Sequence, residues 1–234
     1  MLVKYRRTLY LLYALLFGVL IADTTLAQKP AFPVLKKTKL YHKQVAKDSL
    51  LKLVELKSSI PEIVYDLRYA TKNNFTGTQL YPSGEHTYLR LLPARELAAI
   101  QSELKQEGLG LKIFDAYRPY SVTVKMWDLI KDERYVANPA KGSGHNRGLA
   151  VDLTLIYLAT SQELDMGTTF DNFTDTAHHA FRSLPEATLK NREKLKSIME
   201  KHGFTALPTE WWHYYWTNDG RYGVMDLEFR NLRK

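Results

Sequence analysis

Ser143-Gly144-His145-Asn146-Arg147-Gly148-Leu149-Ala150-Val151-Asp152 sets a histidine between two glycines and a carboxylate on the strand-like run that follows. Gly144 and Gly148 let the backbone bend sharply, so His145 and Asp152 can face one point that their separation alone would not give them. An imidazole and a carboxylate converging in this way are ligands for a borderline divalent metal. A second segment, Glu210-Trp211-Trp212-His213-Tyr214, offers a third ligand in His213 and a carboxylate three positions before it. Residues three apart on a regular strand face opposite sides, so Glu210 is expected in the bend after Pro208 and His213 within the strand.

Three protein ligands and an open fourth position are what a hydrolytic metal needs, because the open position holds a water of lowered pKa. A carboxylate that touches the water without ligating, here Glu210, suits the general base that later delivers the proton to the leaving amine. Arg118, at the junction Asp115-Ala116-Tyr117-Arg118-Pro119, is placed to neutralise a developing oxyanion. Ser143 lacks the Gly-x-Ser-x-Gly elbow of a nucleophile and reads as a hydrogen-bonding group for substrate. Each of these residues taken singly is as well explained by a turn, a salt bridge or a satisfied core position. The five remaining histidines, His42, His86, His178, His179 and His202, read as surface residues.

Around these segments the pattern mixes helices and strands without a regular strand–helix repeat. Residues 62–69 and 111–115 read as strands, 148–157 as a buried strand and 211–217 as an aromatic strand. Pro93 opens a helix carrying Leu97, Ile100 and Leu104 at helical spacing, with Gly108 beyond its end; a second follows Pro119, and a third spans 189–202 before Gly203. The expected fold is α+β, a single domain with a central antiparallel sheet flanked by helices.

The ends are of another character. Lys4, Arg6 and Arg7 precede an apolar run at 9–21 and then Thr25-Leu26-Ala27, the layout of a secretory signal peptide cleaved near Ala27, with no membrane span kept afterwards. The expected organisation is 1–27 signal peptide, 28–58 lysine-rich tether and lead-in, and 59–234 catalytic domain. The 234 residues contain no cysteine, and export without disulfides points to the periplasm or cell envelope of a bacterium. The formal charge is +8, but its lysines are scattered rather than interleaved with aromatics, so no nucleic-acid partner is expected.

The segments Ser-x-His-x-x-Gly-x-Ala-x-Asp at 143–152 and Glu-Trp-Trp-His at 210–213 resemble those of the VanX-type D-alanyl-D-alanine dipeptidases. Tyr69-Ala70-Thr71, Asn74-Phe75-Thr76-Gly77, the Asp115 to Pro119 motif and Met166-Gly167-Thr168-Thr169-Phe170-Asp171 extend the resemblance over 64–215. It implies a zinc peptidase fold shared with D,D-carboxypeptidases and the hedgehog signalling domain, and one Zn2+ held by His145, Asp152 and His213. It also implies base and acid catalysis by Glu210 and transition-state stabilisation by Arg118. From the resemblance alone come the roles of Asp171 and Tyr69 in receiving a substrate ammonium and of Ser143 in binding the substrate's C-terminal end. The implied substrate is a small D,D-dipeptide. Two alternatives stay open: a zinc D,D- or L,D-carboxypeptidase acting on peptidoglycan stems, and a non-catalytic zinc-stabilised binding module. Oligomeric state is not readable from the chain.

Overall fold

The computed structural model describes residues 30–232, so the expected signal peptide at 1–27 lies outside the described residues. Seven strands and six α-helices follow in chain order: α1 (Thr38–Lys47), β1 (Leu53–Glu55), α2 (Leu56–Ser59), β2 (Val64–Tyr65), β3 (Tyr88–Arg90), α3 (Leu91–Lys105), β4 (Leu109–Asp115), α4 (Tyr120–Leu129), α5 (Gly144–Arg147), β5 (Ala150–Tyr157), α6 (Glu186–Lys201), β6 (Phe204–Ala206) and β7 (His213–Trp216). The main sheet has the order β2-β4-β5-β7-β6, and β1 pairs with β3 in a separate two-stranded ribbon. The fold is α+β, as expected.

The sheet is antiparallel at three of its four pairings, while β2 runs parallel to β4 at one edge. A parallel neighbour needs a long connection, and the chain supplies one through β3 and α3. The strand expected at 62–69 is cut to two residues, because Arg68–Ala70 turn into a 3-10 helix that carries Tyr69 into the interior. The segment read as tether and lead-in is folded against the rest: Tyr41 of α1 is buried and its hydroxyl receives the Leu53 N–H at 2.7 Å.

Local chemistry accounts for the helices. Pro93 sits in the first turn of α3, where its missing N–H costs nothing, and Leu97, Ile100 and Leu104 form the buried stripe. Gly108, at φ +71°, turns the chain into β4. Pro185 precedes α6, so this helix starts three residues before the expected position, and Gly203 at φ +83° follows its end. Lys201 and His202 of this end meet Glu103 and Glu96 of α3, clasping the two long helices together. His202 is therefore not the free surface residue expected, and His178 and His179 are also partly buried, drawn in by contacts around Ala177 and Pro208.

Gly148 shows how tightly the turn before β5 is built. It closes α5 in the left-handed region at φ +70°, its carbonyl accepts the Arg90 N–H at 2.8 Å, and a Cβ there would meet the Leu53 side chain at 2.8 Å. Replacing Gly148 by Ala should cost about 1–2 kcal/mol through the left-handed backbone alone. A melting temperature lower by a few degrees in Gly148→Ala is the expected result, and an unchanged melt would show that the turn can relax.

Candidate active site

Register brings the site together. Asp152 on β5 lies opposite His213 on β7 and opposite Asp115 on β4, so three side chains from three adjacent strands share one face. The alignment with Asp115 depends on an irregularity: β4 skips a pairing between Ile113 and Asp115, and such a bulge re-aims the residues after it. The fourth contributor, His145, comes from α5. Ser143 caps that short helix, its hydroxyl oxygen accepting the His145 N–H at 3.1 Å, while Asn146 completes a capping box by accepting the Ser143 N–H.

His145, Asp152 and His213 form the one group among the described residues able to hold a metal, each offering a ligand atom within 4.8 Å of the others. His145 Nδ1 faces the Ala116 carbonyl at 2.7 Å, which fixes it as the donor and leaves Nε2 free for a cation. Nε2 is 3.3 Å from His213 Nδ1 and 3.4 Å from Asp152 Oδ2, and His213 Nδ1 is 2.9 Å from Asp152 Oδ1. Ligands on a tetrahedron with bonds of roughly 2.0–2.1 Å stand about 3.3 Å apart, so these donors fit a single first-row divalent ion with a fourth position left over.

Glu210 lies outside β7, in the bend before it, so the geometry on which its role depends is met. It is buried, and its Oε2 comes within 3.9 Å of His213 Nδ1. Arg118 follows β4 at the expected junction; its Nε donates to Asp115 Oδ2 at 2.8 Å and its Nη2 is 3.8 Å from Asp152 Oδ2. The backbone around it is pinned to α5 from both sides. Its N–H donates to the His145 carbonyl, and the fully buried Asn146 donates Nδ2 to its carbonyl at 2.9 Å.

Asp171 adopts φ +58°, a left-handed conformation that Asp tolerates better than most residues. This turns its carboxylate to the Tyr69 hydroxyl, which stands 3.1 Å from both oxygens. Tyr69, Arg118, Ser143, His145, Asp152, Asp171, Glu210 and His213 all line one cavity of about 220 Å³, with Phe75 and Tyr135 among its apolar walls. All eight residues singled out from the sequence therefore meet at one place.

The electrostatics of that place demand cations. Asp115, Asp152, Asp171 and Glu210 crowd around a single guanidinium. Burial pushes Glu210 well above the ordinary carboxylate range, and the Asp152 and Asp171 charges add to it. Burial, then Asp152, raises Asp171 to about 8. Asp152 goes the other way: burial raises it, but the His145 and His213 imidazoles outweigh that and hold it low. Burial keeps the Tyr69 phenol protonated, so it donates to Asp171. A divalent cation at the ligand triad would relieve the repulsion on Glu210 and Asp171 together.

Comparison with known proteins bears directly on this cavity. A family model described as D-Ala-D-Ala dipeptidase matches residues 49–232. The chain belongs to the D-Ala-D-Ala dipeptidase family. Among the relatives of this family, the D-alanyl-D-alanine dipeptidase of Escherichia coli K12 is 34% identical over 177 residues, covering 76% of this chain and 91% of that protein. That of Enterococcus faecium is 34% identical over 64% of this chain and 84% of its own, and that of Streptomyces coelicolor 33% over 65% and 85%. Among solved structures, the LdcB LD-carboxypeptidase aligns with 57% of this chain and 62% of its own at a TM-score of 0.38 and 22% identity. The family is metal-dependent, and this member is a metallopeptidase of the dipeptidase type.

Sequence reading missed Asn146 and Asp115 as supports of the dipeptidase site. Asn146 carried a signal, since Ser-x-x-Asn is a variant of the capping box, but the fully buried Asp115 shows itself only through the bulge. The Asp171 shift gives a measurable consequence. An acid raised from 3.8 to about 8 in the fold destabilises the folded state progressively between those values. Metal-free Asp171→Asn should therefore match the wild type in melting temperature near pH 4, exceed it increasingly toward pH 8 by a few degrees, and then level off. A constant difference across this range would remove the assigned cause.

Proposed function

We propose that this protein is a zinc dipeptidase that hydrolyses D-alanyl-D-alanine, or a close D,D-dipeptide, to free amino acids. The observation that carries the reading is Asp171: a carboxylate inside the metal-site cavity that forms no salt bridge among the described residues, held by the Tyr69 phenol at the distance of a hydrogen bond. A free ammonium group is the natural partner, and only a short peptide can place one there. The cavity, about 220 Å³, is smaller than the roughly 300–1,000 Å³ typical of pockets for drug-sized ligands.

Two imidazoles and one carboxylate suit zinc, which when bound at His145, Asp152 and His213 would supply Lewis-acid activation of water and of the peptide carbonyl. The chain's own residues do the rest. Asp171 and Tyr69 hold the ammonium and set the distance from there to the scissile bond. Ser143 oxygen already accepts the His145 N–H, so its hydroxyl proton is free to donate to the substrate's C-terminal carboxylate. Glu210 removes a proton from the attacking water at Oε2 and passes it to the leaving amine. Arg118 meets the charge that develops on the carbonyl oxygen. A substrate whose amine is blocked leaves Asp171 buried without its partner, a penalty that rejects it.

The decisive assay is amino-acid release by the zinc-loaded protein from D-Ala-D-Ala and from N-acetyl-D-Ala-D-Ala. Turnover of the free dipeptide is expected, with the blocked one slower by at least roughly 100-fold. Glu210→Gln should keep its zinc yet lose at least about 1,000-fold in kcat, since it removes the only proton carrier assigned. Faster cleavage of blocked or longer peptides would instead favour a D,D- or L,D-carboxypeptidase.

We further propose that the enzyme works after export, on wall-derived dipeptides, in the bacterial envelope. The basic-then-apolar run at 1–27 supports this. Intact-mass analysis of protein recovered from the envelope fraction should show a chain beginning at or near Gln28; an uncut chain confined to the cytoplasm would overturn it.

A further inference from the structure

Tyr81 has no part in the chemistry described above, yet it is 3% exposed and its hydroxyl donates to Asp115 Oδ1 at 2.7 Å. Loop 74–82 is fixed where it delivers this residue: the N–H groups of Leu80 and Tyr81 both donate to the Tyr69 carbonyl, at 2.8 and 2.9 Å. The Tyr81 ring is held edge-on by Phe229 at 4.9 Å and by Tyr69 at 5.9 Å. The phenol therefore has one place to go.

The other oxygen of Asp115 takes all of Arg118: Nε donates to Oδ2 at 2.8 Å and Nη2 lies 2.8 Å from the same atom. A guanidinium beside a carboxylate ordinarily closes a two-oxygen fork, which is the stronger arrangement. Here Oδ1 is taken. Arg118 is left on a single oxygen, with Nη2 reaching to 3.8 Å from Asp152 Oδ2 and its ring contact to Tyr69 at 5.1 Å. The Tyr81 phenol that sits on Oδ1 is also within hydrogen-bonding reach of the guanidinium, and Arg118 lines the metal-site cavity.

We propose that Tyr81 is a positioning residue that, by occupying Oδ1 of Asp115, prevents Arg118 from closing a two-oxygen fork and keeps the guanidinium turned toward the cavity. This rests on the dipeptidase reading for its kinetic consequence but not for its geometry. Loop 74–82 then sets both ends of the substrate: through the Tyr69 backbone it steadies the ammonium clamp, and through Tyr81 it steadies the group that meets the oxyanion.

The test uses the zinc-loaded protein and D-Ala-D-Ala. Tyr81→Phe keeps the ring that packs on Phe229, and melting is used to check that it folds. Its kcat should fall by roughly 10- to 100-fold, as a displaced catalytic group gives, with KM changed less than about twofold and zinc content unchanged. In an Arg118→Lys background, which has no fork to close, the same change should have no further effect on kcat. A wild-type kcat in Tyr81→Phe, or an equal loss in both backgrounds, overturns the proposal. The crystal structure of Tyr81→Phe is the second arm: Arg118 bonded to both Asp115 oxygens supports it, and an unmoved guanidinium overturns it. Should wild-type protein fail to cleave the dipeptide, the dipeptidase reading falls, and the crystallographic arm still decides the role of Tyr81.

Discussion

The pairing of Asp152 with Asp115 on one side and His213 on the other is the constraint on which the rest depends. It places two buried carboxylates and a partly exposed imidazole in a row across three strands, and a buried charge without a partner is too costly to keep. Every neighbouring feature answers that cost. Arg118 settles on Asp115, His145 is swung in by its glycine-flanked turn to meet Asp152, and the remaining negative charge creates the demand for a divalent ion. Shifting β5 by one residue would turn Asp152 to the other face and dissolve the arrangement.

Strands and loops divide the work accordingly. The candidate ligands Asp152 and His213, which must hold one geometry to share an ion, are on β5 and β7, where ladder hydrogen bonds fix the backbone. The groups that would meet a substrate come from irregular segments: Tyr69 from a 3-10 turn, Asp171 from a left-handed residue, Ser143 from a helix cap and Glu210 from a bend. Those segments are not loose. Asn146 ties α5 to Arg118 and to Thr123 of α4, and the Trp211 indole donates to Thr168 at 2.7 Å, linking the segment of Glu210 to the one leading into Asp171.

Asp171 and Glu210 illustrate how stability is exchanged for function. Both are carboxylates raised by burial and by like charges, so each weakens the fold when ionised. In the proposed mechanism one would accept an ammonium group and the other would carry a proton.

The amino-acid sequence by itself pointed to the candidate ligands with Glu210 and Arg118, the α+β class and the long helices, because each rests on short-range information, whereas Asp171 and Tyr69 were named only through the family resemblance. Glycines flank His145, a bend precedes Glu210, and the apolar stripe of α3 repeats at 3.6 residues. It did not determine the parallel edge at β2, the early end of that strand, the packing of α1 onto the domain, or the supports Asp115, Asn146 and Tyr81. Those were decided by tertiary structure alone. Tyr81 and Asp115 are 34 residues apart, and a tyrosine's choice between a wet surface and a buried carboxylate is settled only when a bulge, a loop and the Phe229 ring bring the two together.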